Sequence, residues 1–161
     1  MLCDYYELTM GNGYFANGMK NKIVYFDVFY RNNPDNGGFA IAAGLEQVVE
    51  YVKALHFDED DIAFLRSKGC FSEKFLEFLK DFRFTGDIWA IPEGTVVFPG
   101  EPLIRVSAPI FEAQLIETAL LNIINHQTLI ATKASRVANA AVGDVVMEFG
   151  LRRAQGPDAG I

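Results

Sequence analysis

Basic residues, cysteines and long apolar runs are all scarce in this chain, and each scarcity excludes something. Fourteen lysines and arginines face 21 aspartates and glutamates, a formal net charge of −7. A general nucleic-acid or anionic-membrane surface needs basic stripes, so both are excluded as broad functions. A local anion site built by a few arginines is not. Cys3 and Cys70 are too few for a disulfide framework and lack CxxC spacing, which points to a reducing compartment. No window reaches the ~20 uninterrupted apolar residues of a membrane span. The opening "MLCDYYELTMGNGYF" has acids where a secretory leader has lysines. A soluble, cytoplasmic protein is expected. Of the two histidines, His56 reads as a surface residue and His126 has no cysteine or acid at metal-ligand spacing, so no metal site is expected. No Ser-His-Asp or Cys-His arrangement stands out either.

What is present is enough for a core. Half of the 161 residues are hydrophobic, and a fold of this size buries roughly 70% of the surface its unfolded chain exposes. Asp4 and Glu7 form a D-x-x-E start for a helix from Tyr5 that Gly11, Gly13 and Gly18 loosen. "KIVYFDVFYR" is a strand apolar on much of both faces, with Val24, Phe26, Val28 and Tyr30 on one and Ile23, Tyr25, Asp27, Phe29 and Arg31 on the other. "NNPDNGG" is a turn, and "FAIAAG" is a short extended piece running into the amphipathic helix "LEQVVEYVKAL". Asp58 and Ser72 begin two further helices, the first ended by Gly69. Residues 83–107 read as short strands punctuated by Pro-Glu-Gly and Pro-Gly. From Phe111 to about Ala141 the pattern is helical and long, with a break expected near Asn125; Gly143 ends it, and "DVVMEFG" reads as a buried strand.

Several residues invite a functional reading beside an ordinary one. Arg152 and Arg153 follow that strand in a loop of small residues. Guanidiniums placed there can face the C-terminal edge of a sheet, where α/β folds bind ligands, and their planar forks suit phosphate and carboxylate; they can equally be surface charges. Phe149 can stack on a flat ring or pack in a core. Glu148 can serve as a base or pair with an arginine. Tyr5 and Tyr6 lie at the positive end of a helix dipole, facing either a ligand or the interior. "PEGTVVFPGEPLIRV" has the look of a biotinyl or lipoyl carrier hairpin, but no lysine lies between Gly94 and Ser107 to be modified.

The ordered motifs "DYYELTMGNGYFANG", "FDVFYRNNPDNGGFAIAAGLEQVVEYV", "IPEGTVVFPGEPLIRV", "AQLIETALLNIINHQTLIATKASR" and "MEFGLRRAQGPDAG" together resemble the N-terminal portion of the nicotinate phosphoribosyltransferase family. The family usually begins Thr-Asp before the tyrosine; Cys3 replaces that threonine here. The resemblance implies a mixed α/β N-terminal domain at 1–130. It further implies the start of an irregular β/α barrel at 131–161, with a first barrel strand at about 145–150.

The resemblance also implies an activity: nicotinate and 5-phosphoribosyl 1-pyrophosphate (PRPP) give nicotinate mononucleotide and pyrophosphate, with coupled hydrolysis of ATP with Mg2+, in NAD salvage. It implies a homodimer with active sites at the subunit interface and no nucleic-acid or membrane partner. Carried over onto matching positions, Tyr6 contacts the pyridine ring, Phe149 stacks on it, Arg152 lies near the mononucleotide phosphate, and Arg153 helps with phosphate or carboxylate. Asp4 orders the Tyr6 turn. No catalytic residue is expected within this chain: the family's phosphorylatable histidine lies further along, and His126 does not match it. The piece alone is expected to be inactive. The alternatives are a non-catalytic truncated or dimerisation domain, and a related nicotinamide or quinolinate phosphoribosyltransferase.

Overall fold

Short-range signals set the helix starts. The Asp4 amide donates to Glu7 Oε2 at 3.1 Å, and helix α1 runs Tyr5–Ala16 from that turn. Helix α2 spans Leu45–Ala54, α3 Glu59–Ser67 and α4 Glu73–Lys80. Asp58 Oδ1 accepts from the Asp61 amide at 2.8 Å and Ser72 Oγ from the Phe75 amide at 3.2 Å, which satisfies donors that have no partner inside a first helical turn. The computed structural model describes residues 1–156 and 158–160. Pro157 of the closing motif, and Ile161, lie outside the described residues.

Strands β1 (Ile23–Phe29), β3 (Asp87–Ala90) and β5 (Pro102–Pro109) form an antiparallel sheet in the order β1-β5-β3. A second, two-stranded ladder pairs β2 (Ala40–Ile41) with β4 (Val96–Val97). Register puts Val28, Ile104, Val106 and Ala108 on the inner face of the larger sheet, all buried, while Tyr25, Trp89, Arg105 and Asp27 stand on the outer one. Apolar residues on both faces of β1 were expected, and both are present: Ile23, Tyr25 and Phe29 remain exposed. Arg105 meets Asp27 across the strands in two hydrogen bonds, 2.7 and 2.8 Å.

Helix α5 (Ile110–Leu115) packs between the sheet and α1, and Phe111 fills the middle of the core. Its ring lies 5.5, 6.0 and 5.7 Å from those of Phe75, Phe78 and Phe82. A fully buried side chain of this size contributes about 1.5–3 kcal/mol relative to an exposed one.

Two expectations need correction. The helical run breaks at Ile116 (φ −90°, ψ −5°) rather than near Asn125, and α6 continues unbroken over Glu117–Ala140. The cause is tertiary. In an uninterrupted helix the Thr118 amide would donate to the Gln114 carbonyl; here it donates to Glu7 Oε1 at 3.2 Å. Asn125 sits inside α6, its carbonyl accepting from the Tyr30 hydroxyl at 3.1 Å. The second correction concerns residues 145–150. They form no strand in this structure, and Val145, Met147 and Phe149 are exposed. A strand is a property of a pair, and among the described residues no other strand lies beside this segment.

Farther along α6, Thr128 and Thr132 are fully buried and fasten the helix to the short β2 region. The Ile41 amide donates to Thr132 Oγ1 at 2.9 Å and the Ala43 amide to Thr128 Oγ1 at 3.3 Å, so a helix supplies acceptors that a longer ladder would otherwise provide.

Candidate active site

Adjacent tyrosines at the start of α1 take different directions, as residues about 100° apart on a helix must. The Tyr5 hydroxyl lies 3.0 Å from Cys70 Sγ, and its ring meets Phe71 edge-on with centroids 5.9 Å apart. Tyr5 is therefore engaged with Cys70 and Phe71. Tyr6 turns to the other side and borders an open cleft, with 46% of its surface exposed. Partial burial, then the nearby Glu117 carboxylate, raises its phenol above the ordinary tyrosine value.

The cleft, about 640 Å³, lies between the first turn of α1, the end of β1 and the first half of α6. Asp4, Tyr6, Arg31, Glu117, Thr118 and Asn122 supply its polar and aromatic wall, and Phe29 and Leu121 its apolar part. Asp4 Oδ2 accepts from the Thr118 hydroxyl at 2.9 Å. Among the described residues Arg31 makes no ion pair. An exposed aromatic face near an uncommitted guanidinium suits a flat ring bearing an anion, or a phosphate beside such a ring.

Arg31 is the residue that sequence reasoning passed over. It reads as one more outward position at the end of a two-faced strand. The available signal was its context, an arginine closing an apolar strand, which is the same context that singled out Arg152.

The structure does not bring the remaining candidates to the cleft. Phe149 is 75% exposed. Arg152 donates to the Phe149 carbonyl at 3.1 Å, and the Glu148 carboxylate accepts from the Gly150 amide, so both contacts stay local. Among the described residues neither Arg152 nor Arg153 makes an ion pair with the domain. Leu151–Arg153 form a single 3-10 turn. His56 is exposed beyond α2, with Nδ1 2.7 Å from the Ala54 carbonyl, and His126 is half-buried on α6. Among the described residues no three His, Cys, Asp or Glu side chains gather where they could hold a metal ion. No described helix is long and apolar enough to cross a membrane.

Known proteins resemble this chain over most of its length. The profile of the nicotinate phosphoribosyltransferase (NAPRTase) N-terminal domain matches residues 1–125. A nicotinate phosphoribosyltransferase of Mycobacterium tuberculosis is 50% identical over 159 residues, which is 99% of this chain and 34% of that protein. One from Bacillus subtilis is 44% identical over 156 residues, 97% of this chain and 32% of its own length. The crystal structure of human nicotinic acid phosphoribosyltransferase superposes with a TM-score of 0.90 at 38% identity, over 99% of this chain and 33% of that one. A nicotinate-nucleotide pyrophosphorylase from Pyrococcus furiosus shares the fold, with a TM-score of 0.72 at 23% identity. The chain spans about a third of the length of the curated relatives it matches.

Proposed function

The chain belongs to the nicotinate phosphoribosyltransferase family, and from that premise we propose that it forms the N-terminal part of an enzyme joining nicotinate to the phosphoribosyl group of PRPP. One observation carries the reading: a single cleft offers the half-exposed Tyr6 ring together with the Arg31 guanidinium. Tyr6 covers the pyridine ring, and an arginine takes an anionic group of the reactants. In the reaction the pyridine nitrogen forms a bond to ribose C1 while the bond from C1 to the pyrophosphate oxygen breaks, its electron pair leaving with pyrophosphate. Positive charge develops on the ribose, so the protein's task is to orient the two reactants and to stabilise the departing charge.

The site is completed outside the cleft. Phe149, Arg152 and Arg153 join it when residues 145–150 become the first strand of a barrel beginning at about 131. Supporting this is the apolar content of Val145, Val146, Met147, Phe149 and Leu151, all exposed and in need of neighbouring strands. Residues 1–130 then form the α/β domain that covers a barrel mouth, in a homodimer whose sites lie between subunits. The exposed Tyr6, Phe26, Phe29 and Leu121 around the cleft support an interface there. ATP with Mg2+ couples to turnover, a reading that rests on membership of the family. Two free cysteines fit a cytoplasmic location.

The test uses the full-length protein with nicotinate and PRPP, with and without Mg-ATP, following nicotinate mononucleotide and pyrophosphate. Nicotinamide and quinolinate serve as competing substrates. Product from nicotinate in preference to both is expected; preference for either competitor, or no product from any, overturns the assignment.

A further inference from the structure

At the floor of the cleft one hydroxyl proton faces two carboxyl groups. Thr118 Oγ1 lies 2.9 Å from Asp4 Oδ2 and 2.8 Å from Glu7 Oε1. A hydroxyl has one proton to donate and two lone pairs with which to accept. If both carboxyls are ionised, two acceptors compete for that proton. If one holds a proton of its own, every group is satisfied.

Burial decides which one holds it. Glu7 is 0% exposed, whereas Asp4 borders the open cleft. The charge that acts on Glu7 is that of Glu117 from α6, and Glu7 in turn acts on Cys3 and Tyr6 from its own end of the chain and on Tyr51 from α2. All are neutral or acidic, and among the described residues Glu7 has no ion-pair partner. Burial without a cation disfavours the charged form. The amides of Asp4 and Thr118 offset part of that cost, at 3.1 and 3.2 Å, and the carboxyl remains raised above its ordinary value.

We propose that Glu7 and Thr118 are positioning residues: the Glu7 carboxyl donates to Thr118 Oγ1, Thr118 donates to the Asp4 carboxylate, and this relay fixes the turn that presents Asp4 and Tyr6 to the cleft. The proposal rests on the reading of that cleft as the nicotinate site. It explains why an acid with no exposed surface sits three residues from an exposed one, both tied to the second residue of the restarted long helix. The relay leaves one net negative charge on the pair, on the member that faces the ligand.

Two measurements on the full-length protein test it. The first needs no substrate: a double-mutant cycle of Asp4→Ala and Thr118→Val, read by denaturant unfolding. A coupling between the two changes is expected, and strict additivity overturns the relay. The second is steady-state kinetics. Thr118→Val is expected to raise KM for nicotinate about tenfold, with kcat changed by less than about twofold, and Thr118→Ser to restore it. Glu7→Gln, whose amide nitrogen can donate to Thr118 Oγ1 but cannot accept from the Thr118 amide, is expected to raise KM less than Glu7→Leu and to flatten its rise with pH. Wild-type KM in Thr118→Val, or equal damage from Glu7→Gln and Glu7→Leu, overturns the positioning role. If the wild-type protein does not use nicotinate at all, the functional assignment falls, and the substrate-free cycle still decides the relay.

Discussion

Glu93 caps a helix from a distant part of the chain: its Oε1 accepts from the Gly44 amide at 2.5 Å and from the Leu45 amide at 2.7 Å. Gly44 precedes α2 with φ +103°, a left-handed conformation that favours glycine, which has no side chain to serve as the cap. A carboxylate at this end also meets the positive end of the helix dipole. Glu93→Ala is expected to destabilise the protein by about 1–2 kcal/mol, and Glu93→Gln by less, since the amide oxygen still accepts. Denaturant midpoints check the order; equal losses from the two changes would show that packing rather than capping is at stake.

Glu7 gives stability a pH dependence of definite sign. Burial, outweighing the hydrogen bonds from Thr118 and Asp4, raises its carboxyl above the ordinary 4.5. A raised folded-state value favours the protonated form, so the contribution is fully present below 4.5 and is lost as pH rises through the folded value. Glu7→Gln has no such loss. The stability difference in favour of the variant is therefore expected to grow as pH rises from about 4.5 towards neutrality. Urea unfolding of both proteins at several pH values reads it, and parallel curves would refute it.

The two tyrosines should separate by function. Tyr6→Ala is expected to weaken nicotinate use in the full-length enzyme with little loss of stability, because the ring borders the cleft and is 46% exposed. Tyr5→Phe removes only the contact to Cys70 Sγ and should leave nicotinate kinetics unchanged. Initial-rate measurements decide, and a Tyr6→Ala enzyme with a normal nicotinate KM ends the ligand role of that ring.

What could be read ahead of the structure was what short-range chemistry determines. Asp58, Ser72 and Gly69 mark their helix ends because the groups involved are neighbours in sequence, and Tyr6 stood out through its motif. The break at Ile116 was illegible because its cause, Glu7, acts on Thr118 from 111 residues away. The apolar pattern at 145–150 suggested a strand, yet a ladder needs a second strand that no local pattern supplies. Arg31 was missed for a related reason. Its place in the same cleft as Tyr6 arises only when the end of β1, α1 and α6 come together around it.

Arg31 and Arg152 should prove to be partners in binding if the barrel strand completes the site. Each single change to alanine is expected to cost about 1.5–3 kcal/mol in the binding of PRPP or product, the range for a hydrogen bond to a charged group. Residues serving one ligand are non-additive, so the double variant should lose less than the sum of the two. Isothermal titration with each reactant tests this. Normal PRPP and product binding in Arg152→Ala removes that residue from the site, and strict additivity assigns the two arginines to separate anions.

Two glycines of α1 should respond in opposite directions to the same substitution. Within a helix, Gly→Ala ordinarily stabilises by roughly 0.5–1 kcal/mol through backbone entropy. At Gly13 no atom lies within 4 Å of where a Cβ would stand, so Gly13→Ala is expected to deliver that gain. At Gly11 the same Cβ would lie 2.3 Å from both Cδ2 and Cε2 of Phe111. That ring is 1% exposed and held by Phe75, Phe78 and Phe82, so it cannot swing away. Overpacking of this kind costs about 1–3 kcal/mol, which exceeds the entropic gain, and Gly11→Ala is expected to be destabilising. Denaturant midpoints of the two variants against the parent protein give the signs. A stabilised Gly11→Ala would mean that α1 slides over α5 to make room, and that the packing of Phe111 does not set the position of the helix carrying Tyr6.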